Sequence, residues 1–428
     1  MKKIWILLIG LLITFPIFNL FIGDTELTAV FIISVHSLVL LFFALSHRRM
    51  IGLLLGSAFV IRFITMLWDI FGRHIYSLPH SGADTESFLR RATFISGDLN
   101  AIWESSYEFF IQVIAFVFTF TADERLIFQY INVVLGFTSV YLVYLIFKQL
   151  NISKRNIILG VAIAAFSLHA IIFSGILLRE MLSAFFMIAS FYFLIKWYNT
   201  NKIIDFSLSI AMVLVSALFH SGVIVFVLTH LFIIVFYNQR HRKIIITRQS
   251  LFLFVFTTAG VIAFLIFFPF QDLAVFRKLR VHNINEVFEQ TESARGGSAY
   301  LRSLSINNVF QFIIFGPIFV LYFILSPLPH YWRGFEDIIS FGLDGVIIFI
   351  MIYYFIKNIK KVPNHYKNIL IFTLVGIIAI LITFGVGVQN AGTALRHRNK
   401  IFYIILVLFI IAKDTKRKKA ISHAKQTI

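Results

Sequence analysis

Arg179 and Glu180 stand at the start of an apolar run over 181–197. His220 stands at the far end of a second apolar run over 206–219, and a short polar turn, 198–205, joins the two. An antiparallel hairpin of two such runs returns both free ends to one side. A guanidinium, a carboxylate and an imidazole then share one end of an apolar hairpin. A carboxylate or an imidazole takes a proton from a hydroxyl, and a guanidinium grips an anionic oxygen through a planar fork. The same three residues also suit a plainer role, as headgroup anchors or as an internal Arg179–Glu180 ion pair. Charges near bilayer depth cost free energy, about 2.5–3.5 kcal/mol each at a helix centre, so their clustering favours a functional reading.

Three more stretches carry similar chemistry. Ser81-Gly82-Ala83-Asp84 is a turn sequence that presents Asp84 at a helix start, with Thr85 and Glu86 in the first turn. Asp84 and Glu86 are candidate general bases or simple helix caps. The stretch Ser293-Ala294-Arg295-Gly296-Gly297-Ser298-Ala299-Tyr300 offers close backbone approach at the glycines and a cation at Arg295. No strand precedes it and no GK[ST] follows, so it is not a nucleotide loop. Arg396, Arg398 and Lys400 open the last apolar segment. Guanidinium pairs there suit a diphosphate, and an anionic lipid headgroup is the plainer ligand.

These residues sit in a chain of 428 residues that is 59% hydrophobic, with 52 Phe and no Cys. Mean hydropathy is +0.88. One soluble core cannot hide so much apolar surface, so the chain reads as an all-α polytopic membrane protein. The lack of Cys excludes disulfides, thiolate metal sites and thiol nucleophiles. No metal-ligand spacing appears, and His36, His169 and His230 are isolated within apolar runs, where bonds to neighbouring helices account for them. No cofactor is called for. Met1-Lys2-Lys3 and the following run read as a retained first helix. The net charge of +18 lies mainly in short loops between apolar segments, a topological signature rather than a nucleic-acid footprint.

Apolar segments fall at about 4–22, 28–45, 51–71, 109–121, 126–147, 156–175, 181–198, 206–219, 221–237, 251–269, 309–327, 343–356, 369–387 and 401–412. They form one transmembrane domain, 1–428, with long polar connections at about 72–108 and 270–308. Basic loops near 2–3, 47–49, 148–155, 201–202, 240–243, 357–367 and 413–419 belong on the cytoplasmic side. That holds if Phe109–Thr121, which is short, and Val309–Leu325, interrupted by Gly316-Pro317, are re-entrant or interfacial. About twelve crossings remain. Asp84, Arg179-Glu180, His220, Gly296-Gly297 and Arg396 to Lys400 then all face outward.

The run ending in Leu178-Arg179-Glu180, followed by two spans and His220, resembles the Wzy-type polysaccharide polymerases, particularly their EpsG-like branch. Gly82-Ala83-Asp84 is similar to that family's Gly-x-Asp element, and Ile131-Asn132 to its Asn-bearing helix. Gly296-Gly297-Ser298-Ala299-Tyr300 and the stretch from Gly392 to Lys400 resemble relatives of this kind, so the likeness covers about 80–400. Glu180 stands where Gln is commoner. The resemblance implies a Wzy-like or GT-C-like helical bundle in a bacterial cytoplasmic membrane. It implies polymerisation of undecaprenyl-diphosphate-linked glycan repeats into exopolysaccharide, capsule or O-antigen on the outer face, with other polysaccharide-assembly proteins as partners. In that reading Asp84 or Glu180 is the base and His220 orients it or the acceptor. Arg179, Arg396, Arg398 and, more weakly, Arg295 hold the diphosphate. The rival readings are a GT-C glycosyltransferase using a polyprenyl-phosphate sugar, and a transporter of lipid-linked glycan.

Overall fold

The computed structural model describes residues 2–122, 124–267, 297–302, 304 and 309–426, with 2–9, 261–267, 309 and 415–426 described in backbone only. The chain is all-helical, as its apolar runs require: in lipid every backbone N–H and C=O must be satisfied within the segment. Among the described residues the strands are one two-residue pair, Tyr237–Asn238 against Lys243–Ile244.

Six helices are long and apolar enough to cross a membrane: Thr25–Leu45, Arg49–Gly72, Arg125–Gln149, Glu180–Thr200, Phe335–Lys361 and Asn364–Gly387. Lys154–Phe166 and Leu168–Gly175, bent by 49° at Ser167, make a seventh if read as one span. Length and composition give six or seven crossing helices among the described residues, where the loop charges led to about twelve. Phe109–Thr121, expected not to cross, has 13 residues, about 20 Å of helix against a hydrocarbon core of about 30 Å. Ile203–Phe219 and Ser221–Phe236 are also short, because the chain turns at His220 instead of continuing. Gly316-Pro317 does not interrupt the chain as expected: Val309–Leu325 is helical through Pro317.

The described chain divides into two compact units. The first comprises 1–144 and 161–185, the second 145–160 and 186–428. In the first, the helix Arg125–Gln149 carries a polar face at its start: Arg125, Gln129 and Asn132 recur at helical spacing. All of these look inward, so a helix apolar on most sides buries a polar seam. Gly136 extends it, where an added Cβ would meet Ser174 and the Arg62 side chain. Arg62 is fully buried and donates to the carbonyls of Ala58, Ala164 and Ala165, satisfying a charge that lipid would reject.

In the second unit the expected hairpin is present. Lys196 and Asp205 pair at the turn at 2.6 Å, and Ser190 meets Ser209 at 3.1 Å midway. Phe186 stacks on Phe219 toward the free end. Residues from four loops read as sharing one side meet at the helix ends of this unit: Leu150 with Tyr366, Tyr198 with His365, and Asn368 with Arg242. Phe384 lies on the helix Asn364–Gly387, twenty residues beyond Asn364 and so about 30 Å away along it. It packs against His220 and His397. Within this unit, His220 and His397 thus stand a membrane's thickness from the basic loops.

Candidate functional site

In the first unit the site grows from the turn 176–179. Asn132 donates from Nδ2 to the carbonyls of Ile176 at 3.0 Å and Leu178 at 3.1 Å. Gln129 donates to Gly175 O at 2.7 Å and to Asp69 Oδ2 at 2.9 Å. The two carboxamides hold a stretch whose backbone carbonyls cannot bond within a helix, and they deliver Arg179 and Glu180 at the start of Glu180–Thr200. Arg179 pairs with Glu108, not with Glu180, and its guanidinium lies 5.9 Å from the Phe88 ring centroid. Glu180 is 4% exposed, and its Oε2 has no hydrogen-bond donor among the described residues. A carboxyl buried with one oxygen undonated pays desolvation for no structural return, which marks it as a candidate for chemistry with a substrate hydroxyl.

Asp84 lies exposed in the first turn of Ala83–Ile95, one turn before Phe88. It does not cap the helix; Thr85 does so, its hydroxyl accepting from Gly82 N and donating to Gly82 O. Glu86 is neither a cap nor an isolated base. It pairs with Arg73 and, at 3.0 Å, with Arg125, which also reaches Asp69 at 3.1 Å. This chain of alternating charges anchors the helix bearing Asp84 to buried Asp69. Partial burial pushes the Glu86 carboxyl up, but the two arginines outweigh it and hold the carboxyl below its usual value of 4.5. A carboxyl lowered by folding stabilises above that value and loses its contribution as pH falls through the lowered one. The protection factors of amides in 83–95, which are corrected for the intrinsic exchange rate at each pH, should therefore fall on acidification below about pH 4.5. Glu86→Gln should exchange quickly at neutral pH already. Equal protection in both proteins at pH 7 would remove the anchor.

In the second unit His220 ends Ile203–Phe219 in an extended conformation, φ −153° and ψ 102°. Its ring meets His397 edge-on at 4.2 Å between centroids. His397 stacks on Phe384 at 4.2 Å, and its Nδ1 lies 2.8 Å from Lys400 Nζ. Gly222 makes this packing possible, since a Cβ there would come within 2.6 Å of the Phe384 ring. Arg396 is half-buried on the same helix turn. His220 and the stretch from Arg396 to Lys400 are thus brought together, as the sequence suggests.

Arg398 departs from that expectation. It is 1% exposed, with Nε donating to Asp344 Oδ2 at 2.6 Å and Nη1 donating to the carbonyls of Phe323 at 2.7 Å and Ile324 at 3.0 Å. A guanidinium taken up in this way has little left for a diphosphate, so Arg398 is a positioning residue. It ties the start of Ala391–Gln426 to Val309–Leu325 and to Asp344. Arg295 and Gly296 lie outside the described residues. The end of their loop is anchored here too: Tyr300 N donates to Gln389 O at 2.9 Å, and Ala391 N donates to Ser298 O at 3.0 Å. The stretches 298–300 and 389–391 are therefore neighbours in space.

The sites fall as Asp84, Arg179 and Glu180 in the first unit, and His220, Arg396 and Arg398 in the second. Sequence reading passed over Asp344, His397 and the paired role of Glu108. The visible signal for Asp344 was a lone carboxylate inside an apolar run, which calls for a cation. His36 and His230 bond to Tyr130 and Ser209, as isolated intramembrane histidines should. Among the described residues no group of three or more His, Asp or Glu is placed to hold a metal ion. No family model matches this chain, and comparison with curated proteins and with solved structures gives no match either.

Proposed function

We propose that this protein is a membrane glycosyltransferase that polymerises undecaprenyl-diphosphate-linked oligosaccharide repeats on the outer face of a bacterial cytoplasmic membrane. The observation that carries this reading is Glu180: a buried carboxylate with an oxygen lacking any donor among the described residues, set at the start of a helix beside Arg179 in sequence. Such a group is poised to accept the proton of an attacking sugar hydroxyl. The departing diphosphate needs cations that do not lose their charge on burial. In the first unit, which holds Glu180, the partly accessible Arg179 meets that need; in the second unit Arg396 is half-buried, with His397 and Lys400 beside it as a separate cationic cluster. Asp84 is kept as a second carboxylate for acceptor binding, because it is exposed on an anchored helix. Arg398 supports the Arg396 helix turn.

The test is the lipid-linked intermediate left in a deletion strain. A polymerase defect leaves complete single repeats on the lipid. Incomplete repeats indicate instead a GT-C transferase that adds one sugar. Unchanged intermediates and polymer rule out both.

A further inference from the structure

A separate pocket lies at the other end of the second unit, where the basic loops meet. It has a volume of about 460 Å³, within the size range of small-ligand sites. Its lining draws on the end of Arg125–Gln149, the end of Glu180–Thr200, the tip of the Tyr237–Ile244 hairpin and the start of Asn364–Gly387. The polar part of the lining is carboxamide, phenol, imidazole and guanidinium, with no carboxylate, and Leu150 and Ile369 add apolar wall. Asp414, buried and bonded to Ser153 N and Asn156, acts electrostatically on the lining residue Tyr366.

Two features point to an anion that also carries or neighbours a hydroxyl. Arg242 stands at the hairpin tip with φ +49°, and its backbone carbonyl accepts from Asn368 at 2.8 Å. That bond fixes the tip over the pocket, while the Arg242 guanidinium makes no hydrogen bond or ion pair among the described residues. Lys148, Lys202, Lys243 and Lys367 flank the lining residues in sequence, adding positive potential. The second feature is Gln149, whose buried Oε1 has no hydrogen-bond partner among the described residues. In one amide orientation this end accepts from a hydroxyl; in the other it donates to an anionic oxygen. The helix Asn364–Gly387 begins at the same place without a side-chain cap, so its dipole adds to the same field.

We propose that this pocket binds a phosphate ester, with Arg242 pairing the phosphate and the Gln149 and Asn364 carboxamides meeting its remaining oxygens. The ester is the headgroup of an anionic phospholipid or a soluble phosphate monoester. The site goes beyond the glycosyl-transfer reading, and its test measures binding alone.

The full-length protein in detergent would be titrated with dioctanoylphosphatidylglycerol, with dioctanoylglycerol, which has the tails but no phosphate, and with glycerol 3-phosphate, which has no tails. Arg242→Asn suits the variant, because Asn tolerates positive φ and the side chain is exposed. Asn364→Ala is the second variant, exposed and making no side-chain hydrogen bond among the described residues. Phosphatidylglycerol should bind more tightly than dioctanoylglycerol, and Arg242→Asn should weaken it about 10- to 100-fold while leaving dioctanoylglycerol binding unchanged. Glycerol 3-phosphate binding with the same dependence on Arg242 assigns the soluble source; phosphatidylglycerol binding without it assigns the lipid. Affinity for the phosphate probes unchanged in both variants, or no preference for the phosphate-bearing probes, overturns the proposal.

Discussion

Glu180→Gln is expected to leave the protein folded, inserted and at normal abundance, yet to remove polymer formation. The side chain keeps its shape, and the oxygen concerned has no donor to lose. Replacing a buried charge by a neutral amide is at worst neutral for stability where that charge was unpaired. If Glu180 takes the acceptor proton, losing it costs a factor of about 10²–10⁴ in rate. Polymer length on a gel, normalised to protein by blot, reads the outcome. Full-length polymer from Glu180→Gln would move the base elsewhere, with Asp84 next in line. A loss of protein would mean that the carboxylate is structural.

The second large effect concerns the buried pair Arg398–Asp344. Their side chains are 1% and 5% exposed, with Nη2 2.5 Å from Oδ2. Removing one partner leaves an uncompensated buried charge, which costs about 3–5 kcal/mol. Arg398→Ala and Asp344→Ala should each lower thermal stability in detergent and reduce abundance in the membrane. The double variant Arg398→Met with Asp344→Leu removes both charges at similar volume, so it should recover much of that loss. Arg398→Lys should recover only part, because an ammonium cannot copy the fork that reaches Asp344 and two carbonyls at once. A stable, well-expressed Arg398→Ala that makes no polymer would instead return Arg398 to direct contact with the diphosphate.

Both expectations turn on partners that lie far apart in sequence. Composition and run length alone determine that this chain is a bundle of apolar helices, because backbone polar groups in lipid leave no other economical solution. The positions of those helices were legible too. Phe109–Thr121 follows from its flanking charge and turn residues, and the hairpin closed by Lys196 and Asp205 follows from its short polar turn. The loop charges put His220 and the 396–400 stretch on one side, but that His220 meets His397 was read only from the tertiary structure.

The tertiary structure alone decided which charges are available. Arg179 and Arg398 look alike in the sequence, each a guanidinium at the mouth of an apolar run. Arg179 remains partly accessible beside Glu108, whereas Arg398 is buried against Asp344, 54 positions away. Glu86 is bound by Arg73 and Arg125, while Glu180, beside an arginine in sequence, is left with an oxygen unpaired. Neighbours along the chain do not settle such pairings. In a low-dielectric interior each charge takes the partner whose geometry best repays its desolvation, and that partner is brought within reach only by the packing of other helices.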